Sequence, residues 1–165
     1  MPKITYVGAG SSTFAARLIS DLVATPGLES GTFALVDIDA ERLELSRLIA
    51  EKVVALSGRD WTITTTTDRT EALPGSRYVI NSIEVAGLDS VAPDYEIPLK
   101  YGVDQCIGDT LGPGGIFRGL RHIPVLNDIA TDMMELANPN AIMLQYANPM
   151  AANCLALGRI YANHA

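Results

Sequence analysis

The chain of 165 residues is 48% hydrophobic and only 19% charged, which excludes a disordered chain and fits one domain with a buried core. Its net charge of −7, from 12 Lys and Arg against 19 Asp and Glu, excludes nucleic acid as the main partner, because phosphate binding needs gathered cations. No run approaches the ~20 apolar residues of a membrane span, and the apolar run 4–7 is too short for a signal-peptide core. A cytoplasmic location is therefore expected, with Cys106 and Cys154 belonging to no disulfide scaffold.

Residues 3–7 form a short β-branched and aromatic run that stops at Gly8, the mark of a first strand. From 13 to 25, Phe14, Leu18, Ile19, Leu22 and Val23 recur at helical spacing, and Pro26-Gly27 ends the helix. Residues 32–38 (TFALVDI) read as a second, buried strand. Asp39 is placed to cap a long amphipathic helix over 40–56 that Gly58 closes. Its Leu43, Leu45, Leu48, Ile49, Val53 and Leu56 are predicted to face inward. A third strand is expected over 61–66, where Trp61 reads as strand and not as a platform for stacking bases, and then a turn of helix before Pro74-Gly75. Residues 78–83 make a fourth strand. Between 90 and 101, Pro93 and Pro98 are expected to cut any long helix. A glycine-rich stretch over 108–115 leads into a helix over 116–137, with a kink or break at Pro124. Asn138-Pro139-Asn140 turns the chain into a fifth strand over 141–147, and a last helix follows over 151–161.

Strands alternating with helices predict an α/β fold, Rossmann-like and doubly wound, with a mostly parallel sheet and helices on both faces. Residues 1–165 are read as a single domain of this kind. Its ligand belongs beyond the carboxyl ends of the strands, which directs attention to residues 8–13, Asp37, 82–87 and 146–150.

Gly8-Ala9-Gly10-Ser11-Ser12-Thr13 follows the first strand and opens the first helix. Gly8 permits a tight turn, Gly10 lets a pyrophosphate approach the backbone, and the helix N-terminus offers N–H groups to the phosphates. Thr13 replaces the third glycine of the fingerprint, so the motif alone also suits a turn that merely packs a helix on a sheet. Asp37, some ~20 residues or more downstream, is placed to accept both hydroxyls of an adenosine ribose and to repel a 2′-phosphate, which favours NAD over NADP. Asp39 competes for that role but suits a helix cap better. Asp109, in a loop constrained by glycines and Pro113, reads either as a ligand-facing residue or as an ordinary cap. Asn148, before Pro149, offers donor and acceptor to sugar hydroxyls or a nicotinamide edge, or is simply a turn residue. His122 is expected to be packed or at the surface, His164 to fray, and Arg118 and Arg121 to share a helix face open to solvent or to an anion. The cysteines and histidines have no metal-ligand spacing.

Taken in order, KITYVGAGSSTF, LVDID, QCIGDTLGPGGIFRGLRHIP and YANPMAANC resemble the NAD- and manganese-dependent glycosidases of glycoside hydrolase family 4. Within that family the likeness is to the alpha-galactosidase (melibiase) branch, and it runs from Lys3 to about Arg159. The resemblance implies NAD+ and a divalent metal as cofactors, an alpha-glycoside as substrate and a homo-oligomer. It implies a reaction in which the sugar is transiently oxidised at C3, the aglycone leaves by elimination, water adds and the ketone is reduced. By position, Gly8, Gly10, Ser11, Ser12 and Thr13 correspond to the pyrophosphate turn and Asp37 to the ribose ligand. Asn148 corresponds to a ligand for sugar hydroxyls near the metal, and Asp109 to a substrate-side residue. Family members are roughly three times this length, and their Cys and His metal ligands and tyrosine base follow the YANPM region. No catalytic or metal-ligating residue is therefore assigned in this chain, which is expected to be the cofactor-binding part. A non-catalytic NAD-binding module and a lactate- or malate-dehydrogenase-like oxidoreductase are the alternatives. The second would require net production of NADH.

Overall fold

A computed structural model describes residues 1–162, and His164 lies outside the described residues. The elements run β1 (Lys3–Val7), α1 (Ser12–Ala24), β2 (Ser30–Val36), α2 (Ala40–Ser57), β3 (Asp60–Thr66), α3 (Arg69–Ala72) and β4 (Tyr78–Asn81). A 3-10 turn (Gly87–Ser90), α4 (Val91–Leu99), α5 (Gly112–Leu136), β5 (Ile142–Gln145) and α6 (Met150–Ala162) complete the chain. They divide into two compact units, one of Met1–Ile83 with Asp132–Leu144, the other of Glu84–Thr131 with the chain from Gln145 onward.

The first unit is built on a five-stranded parallel sheet of order β3-β2-β1-β4-β5, the Rossmann-like α/β fold that the alternation predicts. Strand registers place the carboxyl ends side by side: Val7 pairs with Val36 on one side and with Asn81 on the other. Side chains alternate across the sheet, so its two faces carry different residues. Ile4, Tyr6, Phe33 and Leu35 meet Ala15, Ile19 and Val23 of α1 and Leu43, Ala50 and Val54 of α2. Trp61 stacks on Phe33 at 4.2 Å between ring centroids, which makes it a core strand residue. On the opposite face Ala34 and Val36 pack with Ala72 of α3. There the buried Thr5 hydroxyl donates to the Ala72 carbonyl at 3.0 Å. Arg69 pairs with Asp132 at 2.5 Å and ties α3 to the last turns of α5.

The inward face of α2 differs from expectation. Its buried residues are Leu43, Ser46, Ala50 and Val54, while Leu45, Leu48 and Leu56 are exposed. At about 100° per residue the buried four form one narrow stripe, and Leu45 and Leu48 stand nearly opposite. Small residues in that stripe let the helix come close to the β1–α1 turn, where Ser46 Oγ donates to Ala9 O at 2.6 Å. β2 ends two residues before the expected boundary, so Asp37 leaves the ladder and enters the turn.

In the second unit, α4 runs continuously over nine residues despite its two prolines. Pro93 sits in the first turn, where helix donors have no partner to lose. Pro98 supplies no N–H to Asp94 O, four residues earlier, and Gln105 Nε2 donates to that carbonyl instead at 3.0 Å. Likewise α5 starts at Gly112 and passes through Pro124 without interruption. Pro113 occupies its first turn, so the glycine-rich stretch is half loop and half helix.

Asp39 caps α2 as expected, its Oδ1 accepting from Glu41 N and Arg42 N, both at 3.1 Å. Asp39→Ala is expected to lower stability by about 1 kcal/mol, read as a shift in the urea unfolding midpoint of the chain.

Candidate functional site

Two groups of candidate residues form, one in each unit. In the first, the turn after β1 is wedged between its neighbours. Gly8 and Ala9 donate backbone N–H bonds to Val36 O at 2.9 and 3.0 Å, and Ser82 N donates to Val7 O at 3.0 Å. Gly8 has φ +88°, and a Cβ there would lie 2.7 Å from Ser82 C and 2.8 Å from Ile83 N. Only glycine fits, for both conformation and space. Gly10 N donates to Asp37 Oδ2 at 2.7 Å, while Asp37 Oδ1 accepts from Asp39 N at 3.0 Å. A Cβ on Gly10 would come 2.6 Å from that Oδ2. The half-buried Asp37 carboxylate is thus fixed in orientation against the turn, with further acceptor capacity on both oxygens.

Ser11 precedes α1 without a side-chain cap bond, and no acidic residue stands in the first turn. The positive end of the helix dipole is not neutralised there by the helix's own side chains. Thr13 is exposed on that turn, and Ser12 is its first residue. Gly8, Gly10 and Asp37 are thus held together at the turn, and Ser11, Ser12 and Thr13 follow directly at the start of α1, a set of backbone donors and one carboxylate that could hold a dinucleotide pyrophosphate and ribose. Asp39 is engaged as the cap of α2.

In the second unit Asn148 Nδ2 donates to Asp109 Oδ2 at 2.8 Å, so these candidates do come together. Asp109 is not the helix cap: α5 begins three residues later, and Asp109 Oδ1 accepts instead from Thr110 Oγ1 at 3.0 Å. The loop holding Asp109 is braced from outside. Gln105 Oε1 accepts from Gly114 N, and Tyr95 OH accepts from Gly108 N, each at 3.0 Å. Val103 and residues 105–113 line an open cavity of about 520 Å³, among them Asp109, Thr110 and Cys106.

One member of this cluster escaped the sequence reading. Glu84 falls in the flagged 82–87 stretch without being singled out, and it pairs with Arg118 Nη2. Arg118 is not on a solvated face; its Nε donates to Asn148 O at 3.2 Å. Arg121 is bound by Asp94 through two contacts, of 2.9 and 2.5 Å. His122 is fully buried, its Nε2 accepting from Val85 N at 3.3 Å and its Nδ1 lying 2.9 Å from Arg118 O. That pattern puts the proton on Nδ1. Both cysteines are free and exposed. Among the described residues no group of three or more His, Cys, Asp or Glu side chains is placed to hold a metal ion. No helix among them is long and apolar enough to cross a membrane.

Strand order and turn define a Rossmann-like α/β protein. Residues 3–165 match the family described as family 4 glycosyl hydrolase, and the chain belongs to that family. It is 46% identical over 151 residues to an alpha-galactosidase of Rhizobium meliloti (strain 1021), covering 92% of this chain and 31% of the relative. It is 48% identical over 152 residues to an alpha-galactosidase of Bacillus subtilis (strain 168), covering 92% and 35%. A crystal structure of a 6-phospho-alpha-glucosidase from gut microorganisms, in complex with NAD and Mn2+, superposes with a TM-score of 0.84 at 26% identity. That match covers 98% of this chain and 36% of the other. The chain thus spans about a third of the length of these relatives.

Gly8→Ala is expected to destabilise by about 2–3 kcal/mol, because a positive φ and a backbone clash coincide. Gly10→Ala should cost less, since a side chain can yield there; equal urea midpoints for the two variants would contradict this order. Burial holds the His122 imidazole below its ordinary range, opposed by Glu84 and reinforced by Arg118 and Arg121. The unfolded chain therefore takes up a proton where the folded chain does not. The resulting stability is complete above the ordinary value of about 6.5 and is lost as pH falls below it toward the lowered folded value. Unfolding midpoints measured from pH 7.5 to 5.5 should fall less steeply in His122→Gln than in the unsubstituted chain.

Proposed function

We propose that this chain is the NAD+-binding portion of a divalent-metal-dependent glycosidase that acts on alpha-glycosides, with an alpha-galactoside as substrate. The observation that carries the reading is the β1–α1 turn, where Gly8 and Gly10 stand at positions too crowded for a Cβ and Asp37 is oriented against the same turn. Family membership supports the glycosidase assignment over a lactate- or malate-dehydrogenase-like oxidoreductase. When bound, NAD+ supplies a reversible hydride acceptor for oxidation of the sugar at C3.

This chain's own residues do the holding. Backbone N–H groups at the start of α1, at Ser11, Ser12 and Thr13, bind the pyrophosphate; Gly10, whose own N–H is held by Asp37, lets it approach the backbone, and Gly8 sets the turn. Asp37 accepts the ribose hydroxyls, and its charge disfavours a 2′-phosphate. Asn148 and Asp109 bind sugar hydroxyls. The hydride taken from C3 would be returned to the same sugar, so that the net reaction would be hydrolysis. Among the described residues no group of three or more His, Cys, Asp or Glu side chains forms a metal site. The ion, manganese by the family likeness, is proposed to be held by residues outside this chain.

NAD+ is expected to bind the chain saturably in calorimetry. Asp37→Ala should weaken that binding about tenfold or more, the scale of a lost hydrogen bond to a charged group, and should narrow the preference over NADP+. Asp39→Ala should leave affinity unchanged; equal effects of the two variants would sink the assignment of Asp37. Cleavage of p-nitrophenyl alpha-galactoside, with NAD+, Mn2+ and thiol reductant omitted in turn, tests the activity. NAD+ binding without cleavage by a folded chain favours a binding module or fragment, whereas cleavage that needs no NAD+ overturns the reading.

A further inference from the structure

Arg118 is assigned no contact with cofactor or sugar above, yet it is the most connected side chain of the second cluster. It stands on the second turn of α5 with its side chain 21% exposed. Its Nε donates to the backbone carbonyl of Asn148 at 3.2 Å. Its Nη2 pairs with Glu84, and its Nη1 lies 3.8 Å from Asp109 Oδ2. That same oxygen accepts from Asn148 Nδ2 at 2.8 Å. One guanidinium thus touches the main chain of Asn148 and also neutralises the carboxylate that holds its side chain.

The chemistry of the pair sets the orientation of the amide. A carboxylate accepts from an NH2 and repels an amide oxygen, so Asn148 presents its nitrogen to Asp109 and keeps its Oδ1 turned away. Without a cation, Glu84 and Asp109 would place two negative charges around one amide. Arg121 cannot substitute, because both its terminal nitrogens are bound to Asp94. Lysine would supply charge but not the planar fork that reaches a carbonyl and carboxylates together.

We infer that Arg118 is the positioning residue of this cluster: it holds the Asn148 carboxamide with its NH2 on Asp109 and its oxygen offered to a sugar hydroxyl, without touching the sugar itself. The sugar part of this inference rests on the reading of Asn148 as a sugar ligand.

The test is NMR of the 15N-labelled chain, following the Asn148 side-chain NH2 pair, assigned by its absence in Asn148→Ala. In the unsubstituted chain one proton of the pair is expected to be shifted by Asp109 and protected from exchange. Arg118→Met and Arg118→Lys should both abolish that signature, with exchange about tenfold faster, while the backbone spectrum of β1 to β4 is retained. Arg118→Lys keeps the charge and the aliphatic stem, so it carries the test if Arg118→Met does not fold. An unchanged Asn148 pair in either folded variant overturns the inference. Methyl alpha-D-galactoside is titrated in parallel, and both variants should weaken its binding about tenfold. Sugar binding lost in Asn148→Ala but unaltered in both Arg118 variants also overturns it. No sugar binding by the unsubstituted chain, with the signature still lost on substitution, removes the reading of Asn148 as a ligand and supports Arg118 as its anchor.

Discussion

The register of three parallel strands is the constraint on which the candidate cofactor site depends. Because Val7, Val36 and Asn81 end together, the segments that follow emerge side by side. The turn after β1 must then pass between the carbonyl of Ser82 and the chain that follows Val36. It takes bonds from both neighbours, and no room remains for a side chain at Gly8. The glycine is thus required by the sheet before any ligand is considered. That packing engages the N–H groups of Gly8, Ala9 and Gly10, so a ligand of this turn would have to draw on donors at the start of α1.

Elsewhere the chain uses polar side chains to repair what its helix breakers leave open. Asp94 O loses its helical donor to Pro98 and regains one from Gln105. The other end of Gln105 accepts from Gly114, so the same side chain braces the loop that carries Asp109. Tyr95 does similar service for Gly108. A backbone carbonyl without a partner costs more than an ordinary hydrogen bond contributes. The repair therefore selects a single loop conformation, and the position of Asp109 follows from it.

Much of this was legible from residues in sequence. Short β-branched runs, the glycines after β1, and Asp39 before an amphipathic helix are local signals with local causes, and they place the strands and the turn. Apolar periodicity misled at α2, where it weighted large leucines while Ser46 and Ala50 face the core. Closeness to the β1–α1 turn rewards small residues there, a tertiary demand that hydropathy does not register. Proline misled at α4, because its cost depends on whether the orphaned carbonyl finds another donor, and Gln105 is a residue of the following loop; at α5 the break expected as one outcome at Pro124 is absent. Glu84 and Arg118 stand 34 residues apart, and nothing in the spacing of either announces the pair.

The two candidate groups also differ in what makes them specific. The cradle of the first unit works through main-chain donors and missing side chains, with Asp37 as its main chemical discriminator. Many sequences satisfy such a site provided glycine stands where the backbone crowds. The cluster of the second unit works through charge balance, with one arginine set against two carboxylates and an amide. Changing any one of those groups unbalances the others, since a carboxylate deprived of its cation in a partly buried setting also loses its hold on the amide. Binding of a common cofactor demands only the first kind of construction. Discrimination among sugars, which differ by the placement of a hydroxyl, demands the second, because a misaligned donor or acceptor leaves a fixed polar group unpaired.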